Sequence, residues 1–267
     1  MEEPVASAAD APPSFVRLTA HPIRWRLLRE LVRSDRGVGE LTGLIEEPQS
    51  LVSYHLRKLR DGGLVFARRS SADRRDTYYA VDLAVCETEL QAAGRGLHPA
   101  LRLAPVAPTP PTTGPSRPRP RVLFLCTGNS ARSQIAEALL ERMSDGAIEA
   151  ASAGSHPKPL HPNAVQVMER RGIDIRANRT KQLEEYVGQR FDMVVTLCDR
   201  VREVCPEFPA HPRLVHWSIP DPAREGATNR ASAPAFERTA AELETRIGYL
   251  LATLKLEPRN RRRSTHA

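Results

Sequence analysis

The sequence predicts two domains, an N-terminal α+β domain that is mostly α and a C-terminal α/β domain built on parallel strands. Three observations predict this. Residues 96–120 form a Pro-rich stretch of the kind that makes a semi-rigid extended linker. Ahead of it, apolar residues recur at helical spacing and give way to two short strands around a basic run. After it, VLFLCTGNSARSQIAEALL (122–140) reads as a buried strand, a Gly-containing loop and an amphipathic helix.

In the first domain (13–95), Phe15, Val16 and Leu18 begin a helical pattern that breaks at Pro22. It resumes with Ile23, Trp25, Leu27, Leu28, Leu31 and Val32. Gly37 and Gly39 punctuate; a short helix then runs to a turn at Glu47 and Pro48. A second helix carries Leu51, Val52, Leu56 and Leu59 and stops at Gly62 and Gly63. Leu64, Val65 and Phe66, the run ARRSSADRRD, and Thr77, Tyr78, Tyr79 and Val81 make two strands around a basic tip.

In the second domain (121–257), Val122, Leu123, Phe124 and Leu125 lead to Cys126. The backbone N–H groups of a loop through Thr127, Gly128, Asn129, Ser130, Ala131 and Arg132 can converge on the oxygens of a tetrahedral anion. The following helix adds its partial positive charge. Arg132 can grip two oxygens at once, and the same field favours the thiolate of Cys126 beneath the anion. The spacing Cys-x5-Arg alone is weak in so Arg-rich a chain, and a buried Cys beside an ordinary βα turn is the plain alternative. The strand before, Ser133 after and the helix beyond favour an oxyanion site.

This segment, and the chain from Arg121 to about Leu256, resembles the low-molecular-weight protein tyrosine phosphatases and the related thioredoxin-coupled arsenate reductases. The resemblance implies a C-terminal α/β fold with a parallel sheet of that phosphatase type. It implies Cys126 as nucleophile, Arg132 as oxyanion ligand and Ser133 as support for the thiolate. Cys198, closing an apolar run, and Cys205, seven residues on, resemble the resolving cysteines of the reductases. Asp221, before Pro222, resembles the general acid, whereas Ala223 stands where the phosphatases more often have an aromatic residue. The implied chemistry is reduction of arsenate to arsenite through a Cys126–Cys198–Cys205 thiol/disulfide relay. No bound cofactor is expected; electrons would come from an external thiol, thioredoxin or one of mycothiol type. Seven residues is a long reach, so segment 198–205 is expected to rearrange during turnover, and Asp199, Arg200, Arg202 and Glu203 fit a mobile, exposed helix or loop.

Asn129, Glu137 and Ser152 fall where some of these reductases hold a potassium ion, and Lys181 falls where those members have a carboxylate. Its ammonium is expected to replace the ion, so no metal requirement is expected.

The first domain resembles the winged helix-turn-helix of the ArsR/SmtB repressor family over about residues 13–90. The resemblance implies a homodimer on a double-stranded DNA operator, with the helix after Pro48 in the major groove. Gln49, Ser50, Ser53, Tyr54 and His55 are expected on its exposed side, with Arg57, Lys58 and Arg60 near phosphates. Arg68, Arg69, Arg74 and Arg75 make the wing basic. Residues 13–85 contain no Cys, and Cys86 reads as a packed thiol more readily than as part of an arsenite sensor.

The net charge of +7 does not itself carry the DNA reading. Residues 1–95 hold 14 basic and 14 acidic groups, and the excess lies in the linker and in the basic tail 258–267. No apolar stretch of about 20 residues predicts a membrane span. The N-terminus does not resemble a secretion signal, and reduced thiols fit a cytoplasmic setting. Two other functions stay open: a regulator whose phosphatase-like half is a ligand or redox sensor, and an active tyrosine phosphatase.

Overall fold

The computed structural model describes residues 11–98, 101 and 119–256; most of the Pro-rich linker and the basic tail lie outside them. These residues divide into two compact units. One holds the residues before the linker together with 198–203 and 214–218, and the other holds the remainder of the C-terminal half.

In the first unit, α1 (Ser14–Thr19) and α2 (Pro22–Leu31) are separated where Pro22 takes the N1 position, which its missing N–H suits. The two-residue strand β1 (Arg36–Gly37) precedes α3 (Val38–Ile45). α3 ends at Glu46 in the left-handed conformation (φ 56°), and Pro48 opens α4 (Gln49–Asp61). This is a helix-turn-helix. β2 (Val65–Arg69) and β3 (Thr77–Val81) pair antiparallel, with Val65 opposite Val81 and Arg69 opposite Thr77. β1 adds to the other side of β3. α5 (Leu83–Leu97) follows, its first turn capped by Asp82 Oδ1 accepting from Val85 N at 3.0 Å.

Leu27, Leu28 and Leu31 of α2, Leu41 and Ile45 of α3, and Val52, Leu56 and Leu59 of α4 form one buried cluster with Leu64 and Val65. Removing these side chains from water is the main term holding the unit together. His55 corrects the expectation of an exposed DNA-facing residue: it is 4% exposed and its ring lies 4.3 Å from that of His21. The reason is register, since position 55 sits between 52 and 56 on the apolar stripe.

The second unit is built on β5, β4 and β6, three neighbours in a sheet of order β5–β4–β6–β7. β4 (Arg121–Cys126) is central and pairs in parallel with β5 (Glu149–Gly154) and β6 (Met193–Thr196); the edge strand is β7 (Arg213–His216). Five consecutive buried residues, Val122–Cys126, reflect a strand covered on both faces. α6 (Arg132–Met143), α7 (Pro162–Glu169) and the long α9 (Asn229–Leu256) pack on this unit. Between β6 and β7, α8 (Asp199–Glu203) departs from the expected exposed helix or loop only in its burial. It is helical, and Asp199 and Val201 are buried. No helix among the described residues is long and apolar enough to cross a membrane.

Candidate active site

The carboxyl end of a central parallel strand is where an α/β sheet offers loops to a ligand, and β4 ends there on Cys126. Cys126 is 2% exposed. The loop after it turns because Asn129 adopts φ 45°, a left-handed conformation that Asn tolerates. On its outer side the carbonyls of Thr127, Gly128 and Ser130 accept from the backbone N–H groups of His156, Lys158 and His161, at 2.8, 2.9 and 2.9 Å. Asn129 N donates to Cys126 Sγ at 3.2 Å.

Gly154, which sequence reasoning missed, makes this turn possible. It lies opposite Cys126 in the β4–β5 register, and a Cβ on it would meet Asn129 N and Thr127 O at 2.8 Å. That clash is with backbone, which cannot swing aside.

A hydrogen-bond chain under the loop fixes its polarity. Lys181 Nζ donates to both Glu137 oxygens at 2.8 Å, and both side chains are 12% exposed. Ser152 Oγ donates to Glu137 Oε2 at 2.5 Å and accepts from Asn129 Nδ2 at 2.8 Å. Asn129 Nδ2 also donates to Ser133 Oγ at 2.9 Å, while Asn129 Oδ1 accepts from Lys181 N and Gln134 Nε2. Ser133 Oγ lies 3.0 Å from Cys126 Sγ, so its proton is available to a thiolate there. The Lys181 ammonium thus sits on the Glu137 carboxylate in the position expected of it. Among the described residues no group of three or more His, Cys, Asp or Glu is arranged to hold a metal.

Arg132, the first residue of α6, is 6% exposed. Its Nη1 donates to Ile219 O at 2.8 Å and its Nη2 lies 3.5 Å from Asp221 Oδ2. Asp221 caps the 3-10 turn Pro222–Arg224 through Ala223 N. Guanidinium and carboxylate are therefore brought together, on a helix that begins six residues after Cys126. His161, also missed, caps α7 with its ring 4.5 Å from Phe236; burial lowers its pKa, against the pull of the nearby Asp221 charge.

The other thiols differ in setting. Cys198 is buried, and no disulfide joins the four cysteines. Burial pushes the Cys205 thiol up. Burial, aided by Asp82, pushes Cys86 up to about 11, and Cys86 packs on the core of the first unit as an inert thiol would.

Of the residues expected to meet DNA, Gln49, Ser50, Tyr54, Arg57 and Lys58 are exposed along α4 and Ser53 is half-buried. On the wing, Arg69 and Arg74 are exposed, and Arg75 is exposed but paired with Asp73 at 2.6 Å. Arg68 is half-buried and donates to Ser218 O at 2.9 Å.

Residues 121–260 match the low molecular weight phosphotyrosine protein phosphatase family, and residues 21–66 match the bacterial regulatory protein, arsR family. The chain belongs to the low molecular weight phosphotyrosine protein phosphatase family, with an ArsR-family helix-turn-helix at its N-terminus. Similar curated proteins are named arsenate reductase. That of Halalkalibacterium halodurans is 37% identical over 50% of this chain and 96% of its own length. That of Bacillus subtilis is 36% identical over 50% and 96%. Among solved structures, the thioredoxin-dependent arsenate reductase of Corynebacterium glutamicum is 31% identical, covering 52% of this chain and 63% of that one, with a TM-score of 0.43.

Proposed function

We propose that the chain joins an operator-binding repressor (13–95) to an arsenate reductase (121–257). The observation that carries the catalytic half is the Cys126 sulfur, contacted by Ser133 Oγ and Asn129 N at the end of β4, in a unit that also holds the Arg132–Asp221 pair. The Cys126 thiolate attacks arsenic, and Asp221 protonates the departing oxygen, which leaves as water. Arg132 and the loop N–H groups carry the oxyanion charge. Cys198 then attacks the Cys126 sulfur. The sulfur–arsenic bond breaks with its electron pair going to arsenic, which leaves as arsenite, and a Cys126–Cys198 disulfide remains. Cys205 attacks Cys198, freeing the Cys126 thiolate, and an external dithiol of thioredoxin type reduces Cys198–Cys205.

The exposed polar face of α4 and the basic wing support DNA binding in the major groove. A homodimer is supported by α1, which buries no residue, and α5, which buries only Ala93; Val16, Leu90 and Leu97 stand exposed on them. DNA and a reducing thiol pool together favour the cytoplasm as the working compartment.

The test is steady-state arsenate reduction with thioredoxin, thioredoxin reductase and NADPH. Wild type should turn over; Cys198→Ser should not, while still hydrolysing p-nitrophenyl phosphate. Arsenate turnover by Cys198→Ser would overturn the relay. Phosphate-ester hydrolysis without arsenate reduction by wild type would favour a phosphatase.

A further inference from the structure

We infer that Asp35 and Arg68, both from the half of the chain before the linker, are positioning residues for Asp221. They hold the backbone of Ser218, three residues ahead of it. This rests on the general-acid reading of Asp221 given above.

β7 stops at His216, and the residues after it have no regular structure before the turn at Pro222. Trp217, Ser218 and Ile219 are nevertheless buried. Buried backbone outside helix and strand must find its hydrogen-bond partners elsewhere. The residues that follow α2 supply them, since Leu214–Ser218 belong to the same compact unit as the first helices. Asp35 N donates to His216 O at 2.8 Å, and His216 N donates to Ser34 Oγ at 2.9 Å. Ser218 N donates to Asp35 Oδ2 at 2.8 Å. Ser34 and Asp35 thus stand in for a strand beside 216–218, with two side-chain oxygens in place of carbonyls. Asp35 is 2% exposed, so water does not compete for its grip. Arg68 Nη1 donates to Ser218 O at 2.9 Å. Both polar groups of the Ser218 backbone are therefore held.

The next carbonyl, Ile219 O, accepts from Arg132 Nη1 at 2.8 Å, and Arg132 Nη2 lies 3.5 Å from Asp221 Oδ2. Little slack separates these anchors. Pro220 and Pro222 fix their own φ and restrict Ile219 and Asp221 before them, so the stretch moves as a piece. Without Asp35 the buried Ser218 N–H has lost an acceptor that solvent cannot replace, and the segment must re-seat to find another. A general acid works only within hydrogen-bond reach of the oxygen it protonates, and a misplacement of about 1 Å can cost about a hundredfold in rate. Asp35 and Arg68 act on that reach through the backbone.

The test compares Asp35→Ala with Asp221→Asn in the full-length chain, on two aryl phosphates that differ in their need for a proton. Cys126 displaces the phenolic oxygen from phosphorus and Asp221 protonates it. p-Nitrophenolate leaves readily without that proton, whereas phenolate does not. Asp35→Ala should lower kcat/KM about tenfold on phenyl phosphate and less than about threefold on p-nitrophenyl phosphate. Competitive inhibition by inorganic phosphate should stay within about twofold, because Arg132 and the oxyanion loop keep their residues. Asp35→Asn, whose amide oxygen can still accept from Ser218 N, should recover most of the loss. Arg68→Met releases the same residue from its carbonyl side and should show the same contrast between substrates, which covers the case of an Asp35→Ala that does not fold. Equal losses on the two esters, or none, overturn the positioning role when Asp221→Asn keeps its own contrast. If Asp221→Asn shows no contrast, or wild type hydrolyses neither ester, the general-acid reading itself fails and the positioning role falls with it.

Discussion

Ser133 Oγ lies 3.0 Å from Cys126 Sγ while accepting from Asn129 Nδ2, which leaves its one hydroxyl proton free for the sulfur. A hydrogen bond to a charged group contributes about 2 kcal/mol, or roughly a thirtyfold change in an equilibrium. Ser133→Ala should accordingly slow arsenate reduction by one to two orders of magnitude, with phosphate protection in thermal melts retained. An unchanged rate would refute the role.

Lys181 and Glu137 are a nearly buried pair bonded through both carboxylate oxygens. Lys181→Met strands that carboxylate and should cost about 3 kcal/mol in urea melts. Lys181→Met combined with Glu137→Gln should recover most of the loss. With the ammonium in place, replacing potassium by sodium in the buffer should leave the reduction rate of the wild type unaltered.

Gly154 tolerates no side chain, because a Cβ would press on the backbone of Thr127 and Asn129. Gly154→Ala should fold, since its clash is confined to one loop, yet lose protection by tungstate or phosphate in thermal melts. Retained anion protection would mean the loop can move without losing its N–H array.

His55 is held neutral by burial and by the neighbouring His21 and Arg24. Its folded pKa lies below the ordinary value of about 6.5. Protonation therefore favours unfolding: stability is full above pH 6.5 and falls as pH drops toward the folded pKa. His161, lowered mainly by burial, acts in the same direction in the other unit. Melting temperatures should decline between pH 7 and 5, and His55→Gln should flatten part of that slope.

Arg57 and Lys58 are exposed on α4. If each neutralises a phosphate, Arg57→Ala with Lys58→Ala should reduce the slope of log affinity against log salt by about 1.8. A fluorescence anisotropy titration at several salt concentrations reads this directly.

The helix-turn-helix, the wing and the oxyanion loop were legible because each is local: periodicity and turn residues lie within one short stretch. Cys126, Arg132 and Ser133 belong to one strand–loop–helix unit, so their order in sequence nearly fixes their order in space. Gly154 and His161 were not legible, because their importance comes from strand register and from a loop that returns to the site. His55 was misassigned on its polarity although its spacing with Val52, Leu56 and Leu59 already put it on the apolar stripe. α5 was passed over because it buries little and so shows weak contrast between its faces.

At 2% exposure, Cys126, the proposed nucleophile, presents little surface to solvent. What can poison the protein is then set by girth as much as by reactivity. Small anions and peroxide are expected to reach the sulfur, and maleimides on bulky carriers to be turned away. The same narrowness shapes how the protein ages under oxidants: a sulfenic acid formed there has Ser133 and Asn129 as immediate neighbours, and a second oxidant must enter the space the first has just vacated.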